Sequence, residues 1–382
     1  MARAIGRVLL FLTVALLLAI VLVPPFLDRV YYRGPESAHF DGARFFNPDG
    51  EDTAAPPTGG SRAGFFARFL TGSDGRPPWP DTVPVSPTKP PERVEGERML
   101  VTWIGHATVL VQTAGLNILT DPIWSDTAGP FGFGPRRVAA PGVRFENLPK
   151  IDLVLVSHNH YDHMDLTTLK RLWKRDRPLI VTSLGNDAIL RSRGITATRA
   201  EWGTRMLFRG AELVVTRNHH WGSRWFADRN RALWSSFVVR LPGGNLFFAG
   251  DTGLGDGKWP AEAAALGPVR LALIPIGAFR FRPGQMGTAS HLGPIDAVKV
   301  FEGAQAYRAL PIHWGTFRLS FEAYDTPPKL LTEAMRCAGH DPRLFAPIGI
   351  GKTIEVPPVS VQPRPARLSP GCLDSPAVRS LK

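Results

Sequence analysis

Residues 151–163 read IDLVLVSHNHYDH, and this stretch decides the fold. The run from Ile151 to Val156 consists of β-branched and leucine residues, interrupted only by Asp152. A short apolar run of this kind predicts a buried strand. The strand leads directly into a polar segment that carries three histidines and an aspartate, so the chain is expected to emerge from the core at a chemically active edge.

The spacing of the polar residues predicts a metal site. In an extended segment, residues two apart point the same way, so His158 and His160 are able to reach one ion together. The chain then turns, which lets Asp162 and His163 face a second ion. Imidazole and carboxylate are the side chains that hold zinc when thiolates are absent. Because the chain has ten histidines in 382 residues, this clustering favours a site over an incidental polar loop.

Three later segments supply what a two-metal site still needs. Each places a histidine or an aspartate beside a short apolar run, where sheet proteins commonly build sites. The segments are Asn218-His219-His220-Trp221, Ala249-Gly250-Asp251-Thr252-Gly253 and Leu310-Pro311-Ile312-His313-Trp314-Gly315. A lone histidine is more often a hydrogen-bonded core residue. Because the His158 cluster is also present, we interpret His220, Asp251 and His313 in these segments as metal ligands, with His219 as the alternative to His220.

Predicted strands and helices alternate through the rest of the chain. The strands are expected at residues 100–104, 108–112, 117–120, 179–182, 213–216, 235–240, 246–248 and 271–275, and the helices at 166–173, 294–301 and 328–337. There is no repeat of the solenoid kind. This order fits an α+β protein with a sheet-on-sheet core flanked by helices.

The segment SHNHYDH matches the HxHxDH signature of the metallo-β-lactamase superfamily. Four other segments resemble one branch of it: TWIGHAT at 102–108, NILTDP at 117–122, FAGDTG at 248–253 and IHWGTF at 312–317. That branch contains the N-acyl-phosphatidylethanolamine-hydrolysing phospholipase D and its bacterial relatives; the ascorbate-phosphate lactonases are more distant kin. The resemblance covers residues 40–354 and implies an αββα four-layer sandwich with the metals at one edge.

The resemblance implies a specific set of ligands for two divalent ions, with Zn²⁺ as the favoured identity. The first ion takes His158, His160 and His220, the second takes Asp162, His163 and His313, and Asp251 bridges both. A carboxylate has two oxygens and can span two ions, which agrees with the bridging role. His219 departs from the glutamine expected before the ligand histidine, which leaves His219 or His220 as the ligand; the following Trp221 favours His220.

Four residues are candidates for other roles at the site. Asp162 is expected to orient the nucleophile in addition to binding metal. His291, in Ser290-His291-Leu292-Gly293-Pro294, matches a family histidine and is a candidate proton donor, with a capping or core role as the alternative. His106 and Asp121 are expected to orient ligands, or else to be structural. His39 and His340 are expected at the surface.

The N-terminus predicts a membrane anchor. An apolar run from Val8 to Val23 follows Arg3 and Arg7 and ends without the small-residue pattern of a cleavage site, which favours an uncleaved signal anchor over a cleaved signal. The basic residues on the two sides nearly balance. An N-terminus inside and a catalytic domain outside, periplasmic or extracellular, is the preferred orientation.

The remaining boundaries follow from composition. Residues 1–27 form the anchor or signal segment, and residues 28–97 are a Pro/Gly-rich arm that wraps the domain or spaces it from the membrane, with a short helix expected at 65–70. Residues 98–356 form the hydrolase domain, and residues 357–382 a peripheral tail. Cys337 and Cys372 are the two cysteines, and the sequence leaves open whether they pair.

The net charge of +12 narrows the partners. The basic residues are scattered and no nucleic-acid motif is present, so an anionic membrane surface is expected rather than nucleic acid. The leading functional prediction is a phospholipase D-type phosphodiesterase that hydrolyses N-acyl-phosphatidylethanolamine or related membrane phospholipids with a metal-activated hydroxide. The alternatives are a lactonase or phosphoesterase with a small soluble substrate, and a non-catalytic metal-binding membrane scaffold. The sequence does not define an oligomeric state.

Overall fold

The computed structural model describes residues 2–50, 75–225, 227–281, 288–360 and 368–381. The short helix expected at 65–70 lies outside the described residues. Two mixed β-sheets and their flanking helices make up the part that carries the candidate site.

The first sheet has seven strands. They are β1 (Met99–Gly105), β2 (Thr108–Thr113), β3 (Leu116–Thr120), β4 (Leu153–Val156), β5 (Leu179–Ser183), β6 (Thr198–Ala200) and β13 (Thr353–Glu355). Their spatial order is β13-β1-β2-β3-β4-β5-β6. The strands from β13 to β3 pair antiparallel, and those from β3 to β6 pair parallel.

The second sheet has six strands. They are β7 (Arg205–Phe208), β8 (Ala211–Thr216), β9 (Ser236–Arg240), β10 (Asn245–Phe248), β11 (Val269–Pro275) and β12 (Arg308–Ile312). Their order is β12-β11-β10-β9-β8-β7, with β10, β11 and β12 parallel to one another.

Helices cover the outer face of each sheet, which confirms the predicted layers. The helices are α1 (Ala2–Leu27), α2 (Leu166–Asp176), α3 (Asn186–Arg191), α4 (Trp259–Ala264), α5 (Pro294–Gly303), α6 (Thr326–Cys337), α7 (Pro370–Leu373) and α8 (Pro376–Arg379). Helices α2 and α3 pack on the first sheet, and α4, α5 and α6 pack on the second. A third apolar core lies between the sheets.

Strand β4 shows why its sequence is a nearly continuous apolar run. Leu153 and Leu155 belong to the core between the sheets, whereas Val154 and Val156 pack toward the helical layer. A parallel strand with both faces covered needs apolar residues at every position. The strand begins at Leu153 rather than at the predicted Ile151. Just before it, the buried Asp152 carboxylate accepts hydrogen bonds from Arg93 and from the amide of Asn117.

The sequence indicated β12 only as a short apolar run at 310–312. Three further strands were not predicted at all, and they too lie at sheet edges. They are β6, β7 and β13, which terminate three of the four edges. Each has only three or four residues, and most of these are exposed or half-buried. A short edge strand pairs on one side only and does not need an apolar pattern, so its sequence carries little signal.

The segments outside the sandwich pack against it. Phe40 and Phe45 of the arm are buried with Leu233 and Trp234, so the arm wraps the domain here. In the tail, Val378 is buried against Leu330 of α6. Cys337 and Cys372 form a disulfide with a Cα–Cα distance of 5.4 Å, which resolves the pairing that the sequence left open.

Within the described ranges, one helix is long and apolar enough to cross a membrane. It is the part of α1 from Ala4 to Val23, whose side chains are exposed. At about 1.5 Å per residue it spans about 30 Å, the thickness of a bilayer core. Its length and composition make α1 a candidate membrane span. An N-terminal signal sequence has the same features.

Candidate metal centre

Strands from both sheets end at the same edge of the sandwich, and each is followed by a predicted ligand. β4 ends two residues before His158, and β12 ends directly before His313. β8 ends four residues before His220, and β10 ends three residues before Asp251. Because β8 and β10 both pair antiparallel with β9, they run in the same direction and their carboxyl ends meet.

The first group of side chains consists of His158, His160, His220 and Asp251. His160 Nδ1 lies 2.7 Å from His158 Nε2 and 3.4 Å from His220 Nε2. Asp251 Oδ2 lies 3.7 Å from His220 Nε2. Four donor atoms thus converge within 4.8 Å of one another. The structure brings together the set predicted for the first ion.

The second group is built around Asp162, His163 and His313. Asp162 Oδ2 lies 3.4 Å from His163 Nε2 and 3.3 Å from His313 Nε2. Asp251 Oδ2 lies 3.6 Å and 3.3 Å from the same two nitrogens. Since Asp251 also belongs to the first group, its carboxylate lies within reach of the nitrogens of both groups; that it bridges two ions stays a prediction.

These donors fit divalent cations. His163 Nε2 and Asp251 Oδ1 are buried and have no hydrogen-bond partner among the described residues. Leaving a buried polar atom unpaired costs about 1–3 kcal/mol. A cation bound by imidazole nitrogens and carboxylate oxygens would remove that cost, and this donor set is the one that zinc and similar metals accept.

A family model described as the beta-lactamase superfamily domain matches residues 116–314, slightly more than half of the chain. All seven predicted ligands lie in this range. The chain belongs to the metallo-β-lactamase superfamily. The predicted resemblance is thereby confirmed, and the chain is a metal-dependent hydrolase of this superfamily.

Relatives place the chain in one branch of the superfamily. It is 35% identical over 243 residues to the N-acyl-phosphatidylethanolamine-hydrolyzing phospholipase D 1 of Caenorhabditis elegans, covering 60% of this chain and 68% of the relative. It is 32% identical over 271 residues to the mitochondrial N-acyl-phosphatidylethanolamine-hydrolyzing phospholipase D of Saccharomyces cerevisiae, covering 69% of this chain but 57% of the relative. The chain is a member of the branch that contains these phospholipases.

A solved structure supports the fold. The isothiocyanate hydrolase from Delia radicum gut bacteria superposes with a TM-score of 0.55 and 19% identity, covering 68% of this chain and all of that chain. At this identity the likeness shows that the two share the metallo-β-lactamase sandwich.

Asp121 and Ser157 fix the rings of two predicted ligand histidines, His158 and His163. Asp121 Oδ2 accepts a 2.6 Å hydrogen bond from His163 Nδ1 and a 2.5 Å bond from Ser157 Oγ. Since the Ser157 hydroxyl proton is used there, its oxygen accepts from His158 Nδ1 at 2.9 Å. Both histidines therefore use Nδ1 in these hydrogen bonds, which leaves Nε2 as the nitrogen that faces the donor groups. The sequence predicted the role of Asp121 but missed Ser157.

His106 supports the second group. Its Nε2 donates to Asp162 Oδ2 at 2.9 Å, and its carbonyl accepts from the amide of His313 at 3.0 Å. His106, Asp121 and His313 all have positive φ angles of 53°, 29° and 62°. Non-glycine residues rarely adopt such angles, and they concentrate at functional sites. His106 is also close enough to join the second group as a donor.

The arm decides between His219 and His220. His219 Nδ1 lies 2.9 Å from Asp49 Oδ1 and belongs to neither group of donors. His220 Nδ1 donates to the carbonyl of Ser290 at 2.9 Å, which leaves Nε2 for the first group. Asn47 donates to the carbonyl of His220 at 2.8 Å and accepts from its amide. Sequence reasoning missed both arm residues, which lie about 170 positions from the histidines and carry no recognisable motif.

Replacing Asn47 by aspartate is expected to lower metal affinity or activity by about 10–100-fold, the usual cost of losing a residue that holds a ligand. The Asn47→Asp side chain keeps its size but turns a carboxylate oxygen toward the carbonyl of His220. Metal titration of the full chain measures the effect. Asn245→Asp is the matched control, because Asn245 is equally buried but lies at the start of β10, away from the site. Equal losses in both variants would contradict the role of Asn47.

Burial and charge set the protonation of the site. Burial lowers the pKa of His158 and of His220 well below its ordinary value, and lowers the pKa of His160 to about 3. Burial raises the pKa of Asp251, but His291, His313 and His220 outweigh it and hold that pKa well below the usual range. Neutral imidazoles beside an ionised carboxylate are the forms that ligate cations.

His163 and His291 behave differently because each lies against carboxylates. Burial lowers the pKa of His163, yet Asp162 and Asp121 outweigh it and raise that pKa well above the ordinary value. For His291, burial is likewise outweighed by Asp251, which raises its pKa. His291 Nδ1 lies 3.4 Å from Asp251 Oδ2, and neither ring nitrogen has a hydrogen-bond partner in the described part of the chain. His291 is thus close to the shared carboxylate, as predicted.

The two histidines expected at the surface are instead largely buried. His39 lies 2.9 Å from Glu201, and His340 lies 3.1 Å from Glu302. Their expected position was wrong because each glutamate pairing allows an imidazole to be covered. Neither belongs to a group of metal-competent residues.

Proposed function

We propose that this metal-dependent hydrolase is a membrane-anchored phosphodiesterase of phospholipase D type, acting on N-acyl-phosphatidylethanolamine or related phospholipids. The observation that carries the proposal is the pair of donor groups that share Asp251. Two ions held side by side suit the in-line displacement at a phosphodiester. The relatives that are named for this activity support the substrate class.

Seven residues would hold two divalent ions, for which we propose Zn²⁺. His158, His160 and His220 would hold one, Asp162, His163 and His313 the other, and Asp251 both. When bound, such ions polarise a phosphoryl oxygen, lower the pKa of water and neutralise charge in the transition state.

The protein's own side chains would orient the reaction. Asp162 Oδ2, fixed by His106, accepts a hydrogen bond from the attacking water and orients it toward phosphorus. The water oxygen bonds to phosphorus as the bond between phosphorus and the head-group oxygen breaks, leaving phosphatidic acid, and the proton that the water gives up restores the one that His291 donates. His291 donates a proton to the departing oxygen, which leaves as the alcohol N-acylethanolamine. Its ring nitrogens are free of other hydrogen bonds within the described residues, which supports that role.

A broad groove that reaches the ligand loop through Tyr161, and that none of the seven predicted ligands lines, supports an amphiphilic substrate over a small soluble one. It has a volume of about 1530 Å³ and includes Tyr161, which lies between His160 and Asp162 in the sequence. Aromatic side chains such as Trp225 and arginines such as Arg224 line it together. Apolar surface beside fixed positive charge suits acyl chains attached to a phosphate group.

The disulfide supports the proposed location of the domain outside the cytosol. Cys337 and Cys372 pair across 35 residues of sequence, and such bonds persist mainly in oxidising compartments. With α1 as an anchor, an N-terminus inside and a periplasmic or extracellular domain agree with this pairing.

The direct test is an assay of the full chain in detergent micelles, with its metal content measured first. N-acyl-phosphatidylethanolamine, phosphatidylcholine and a panel of lactones are offered in parallel, with and without chelator. We expect phosphatidic acid and N-acylethanolamine from the first substrate, loss of activity with chelator and recovery with Zn²⁺. Turnover of lactones alone would overturn the lipid assignment, and equal rates with and without metal would indicate a scaffold.

The His291→Gln variant is expected to retain its metal and to lose about 10²–10⁴-fold in rate, the usual contribution of a proton donor. A phosphodiester with a nitrophenolate leaving group needs no proton, so its hydrolysis should be nearly unchanged. His340→Gln, at a histidine outside the site, is the control. Loss of metal from His291→Gln would instead identify His291 as a ligand and contradict its proposed role.

A further inference from the structure

We infer that the face of the domain beside the end of α1 docks on an anionic lipid bilayer, with Phe131 and Phe133 inserted among the lipids. The inference rests on the membrane location proposed above but not on the reaction. The loop at residues 128–134, called the phenylalanine loop from here on, would lie at the bilayer surface.

The phenylalanine loop carries two apolar side chains that the described residues leave mostly exposed. Phe131 is 82% exposed and Phe133 is 72% exposed. Beyond α1 and the adjoining Val30, the only other exposed large apolar side chain in the described ranges is Leu207, at 83%. Two aromatic rings two residues apart in one loop mark a surface for an apolar partner, whereas a single leucine does not.

The backbone of the loop presents the rings outward. The loop reads AGPFGFG, and Phe131 has φ 55° and ψ 25°, in the left-handed region. A bulky residue rarely adopts this conformation. Gly129 and Gly134 each lie so close to the backbone on the other side of the loop that a Cβ on either would overlap backbone atoms. The narrow loop therefore projects its aromatic side chains rather than folding them inward.

The loop is continuous with the end of the candidate membrane helix. The Phe131 ring lies 6.0 Å from the ring of Trp225, which in turn lies 5.3 Å from the ring of Phe26 in the last turn of α1. The Arg29 guanidinium lies 4.1 Å from the centroid of the Phe26 ring. Tryptophan and arginine beside an apolar helix end are typical of the level where a span leaves the bilayer. The phenylalanine loop is therefore at the height of the lipid head groups.

The charge of this face complements an anionic lipid surface. Six arginines and three aspartates line the groove between the phenylalanine loop and the domain. Two of the three aspartates are already engaged: Asp28 pairs with Arg44 and Arg231, and Asp165 caps α2, so Asp126 is left against six arginines. Among the described residues, Arg33, Arg136 and Arg193 line the groove without pairing with a carboxylate. Unpaired basic residues near a bilayer attract anionic head groups.

Docking would bring the candidate metal centre to the lipid. Tyr161 lines the same groove, and its ring lies 3.9 Å from the guanidinium carbon of Arg224. Arg224 donates to the carbonyl of Asn159, within the ligand segment at 158–163, and to that of Met164, which directly follows it. A lipid extracted into the groove would thus meet the loop that carries the predicted ligands.

The test uses the full chain in nanodiscs of phosphatidylcholine and phosphatidylglycerol, with part of the phosphatidylcholine brominated on its acyl chains. The Phe131→Trp and Phe133→Trp variants each add one tryptophan, whose fluorescence is measured. Leu207→Trp is the matched control, because Leu207 is equally exposed but lies on edge strand β7. Side chains at an interface insert about 5–10 Å, so the brominated lipid should remove about half of the added emission in the loop variants. It should leave that of Leu207→Trp unchanged.

Further measurements distinguish a lipid bilayer from other partners that could cover the phenylalanine loop. In the Arg33→Gln/Arg136→Gln variant, we expect phosphatidylglycerol to lose its ability to increase the quenching. Quenching in the loop variants no greater than in Leu207→Trp would overturn the inference. So would a detergent-stable dimer that Phe131→Ser/Phe133→Ser converts to monomer, since a second copy would then occupy the loop. Failure to enter nanodiscs would overturn both the anchor and the docking, whereas loss of hydrolysis alone would affect only the proposed reaction.

Discussion

The Asp251→Asn variant is expected to lose nearly all hydrolysis and at least one equivalent of metal. Asp251 Oδ2 lies within 3.7 Å of donor nitrogens in both groups, and its side chain is almost fully buried. The amide removes the negative charge that the two positions share. Metal contributes several kcal/mol to such reactions, so the rate should fall by about a thousandfold or more.

Metal analysis and the rate of phosphatidic acid release measure the effect. Asp49→Asn is the matched control: Asp49 is a largely buried carboxylate that contacts His219 but belongs to neither group. We expect it to retain both metals and most activity. An Asp251→Asn chain with full metal content and near-normal turnover would remove the basis of the proposed function.

The His220→Ala variant is expected to lose one metal and about a thousandfold in rate, again because several kcal/mol of transition-state stabilisation depend on that metal. Its neighbour His219→Ala should stay within about tenfold of the wild type, since His219 contacts Asp49 and not the donor groups. Because the two histidines are adjacent in one loop, the two variants form a matched pair.

Thermal unfolding of the two variants after chelation separates metal loss from misfolding. Equal unfolding temperatures with unequal metal content would support the assignment of His220. If His219→Ala lost the metal while His220→Ala kept it, the ligand would be the other histidine. The arrangement of donors in the first group would then be wrong.

Much of the fold was accessible from sequence because burial imposes patterns. Strand β4 is covered on both faces, so its apolar run was visible, and its junction with His158 located the site. Helix α6 was predicted at 328–337 and begins at Thr326, since Pro327 and Pro328 fit the first turn of a helix. Edge strands such as β7 left no such pattern.

The candidate site was accessible in part for a related reason. The predicted ligands are chemically restricted, because only a few side chains bind metals, and they recur at strand ends. Asn47, by contrast, acts through its amide on the backbone of His220, and any distant segment could supply such an amide. Ser157 was missed because a serine beside a histidine is common, and only its bond to Asp121 gives it a role.

The sequence by itself determined which elements are buried and which residues are able to ligate metal, since both depend on side-chain chemistry and local period. Only the tertiary structure decided that the cysteines pair and that the phenylalanine loop lies beside α1. It also placed Asp251 within reach of both groups and turned His220 rather than His219 toward the first, which the family resemblance and Trp221 had already favoured. These are distances between residues far apart in the chain. They are set by how the two sheets pack, which no local pattern encodes.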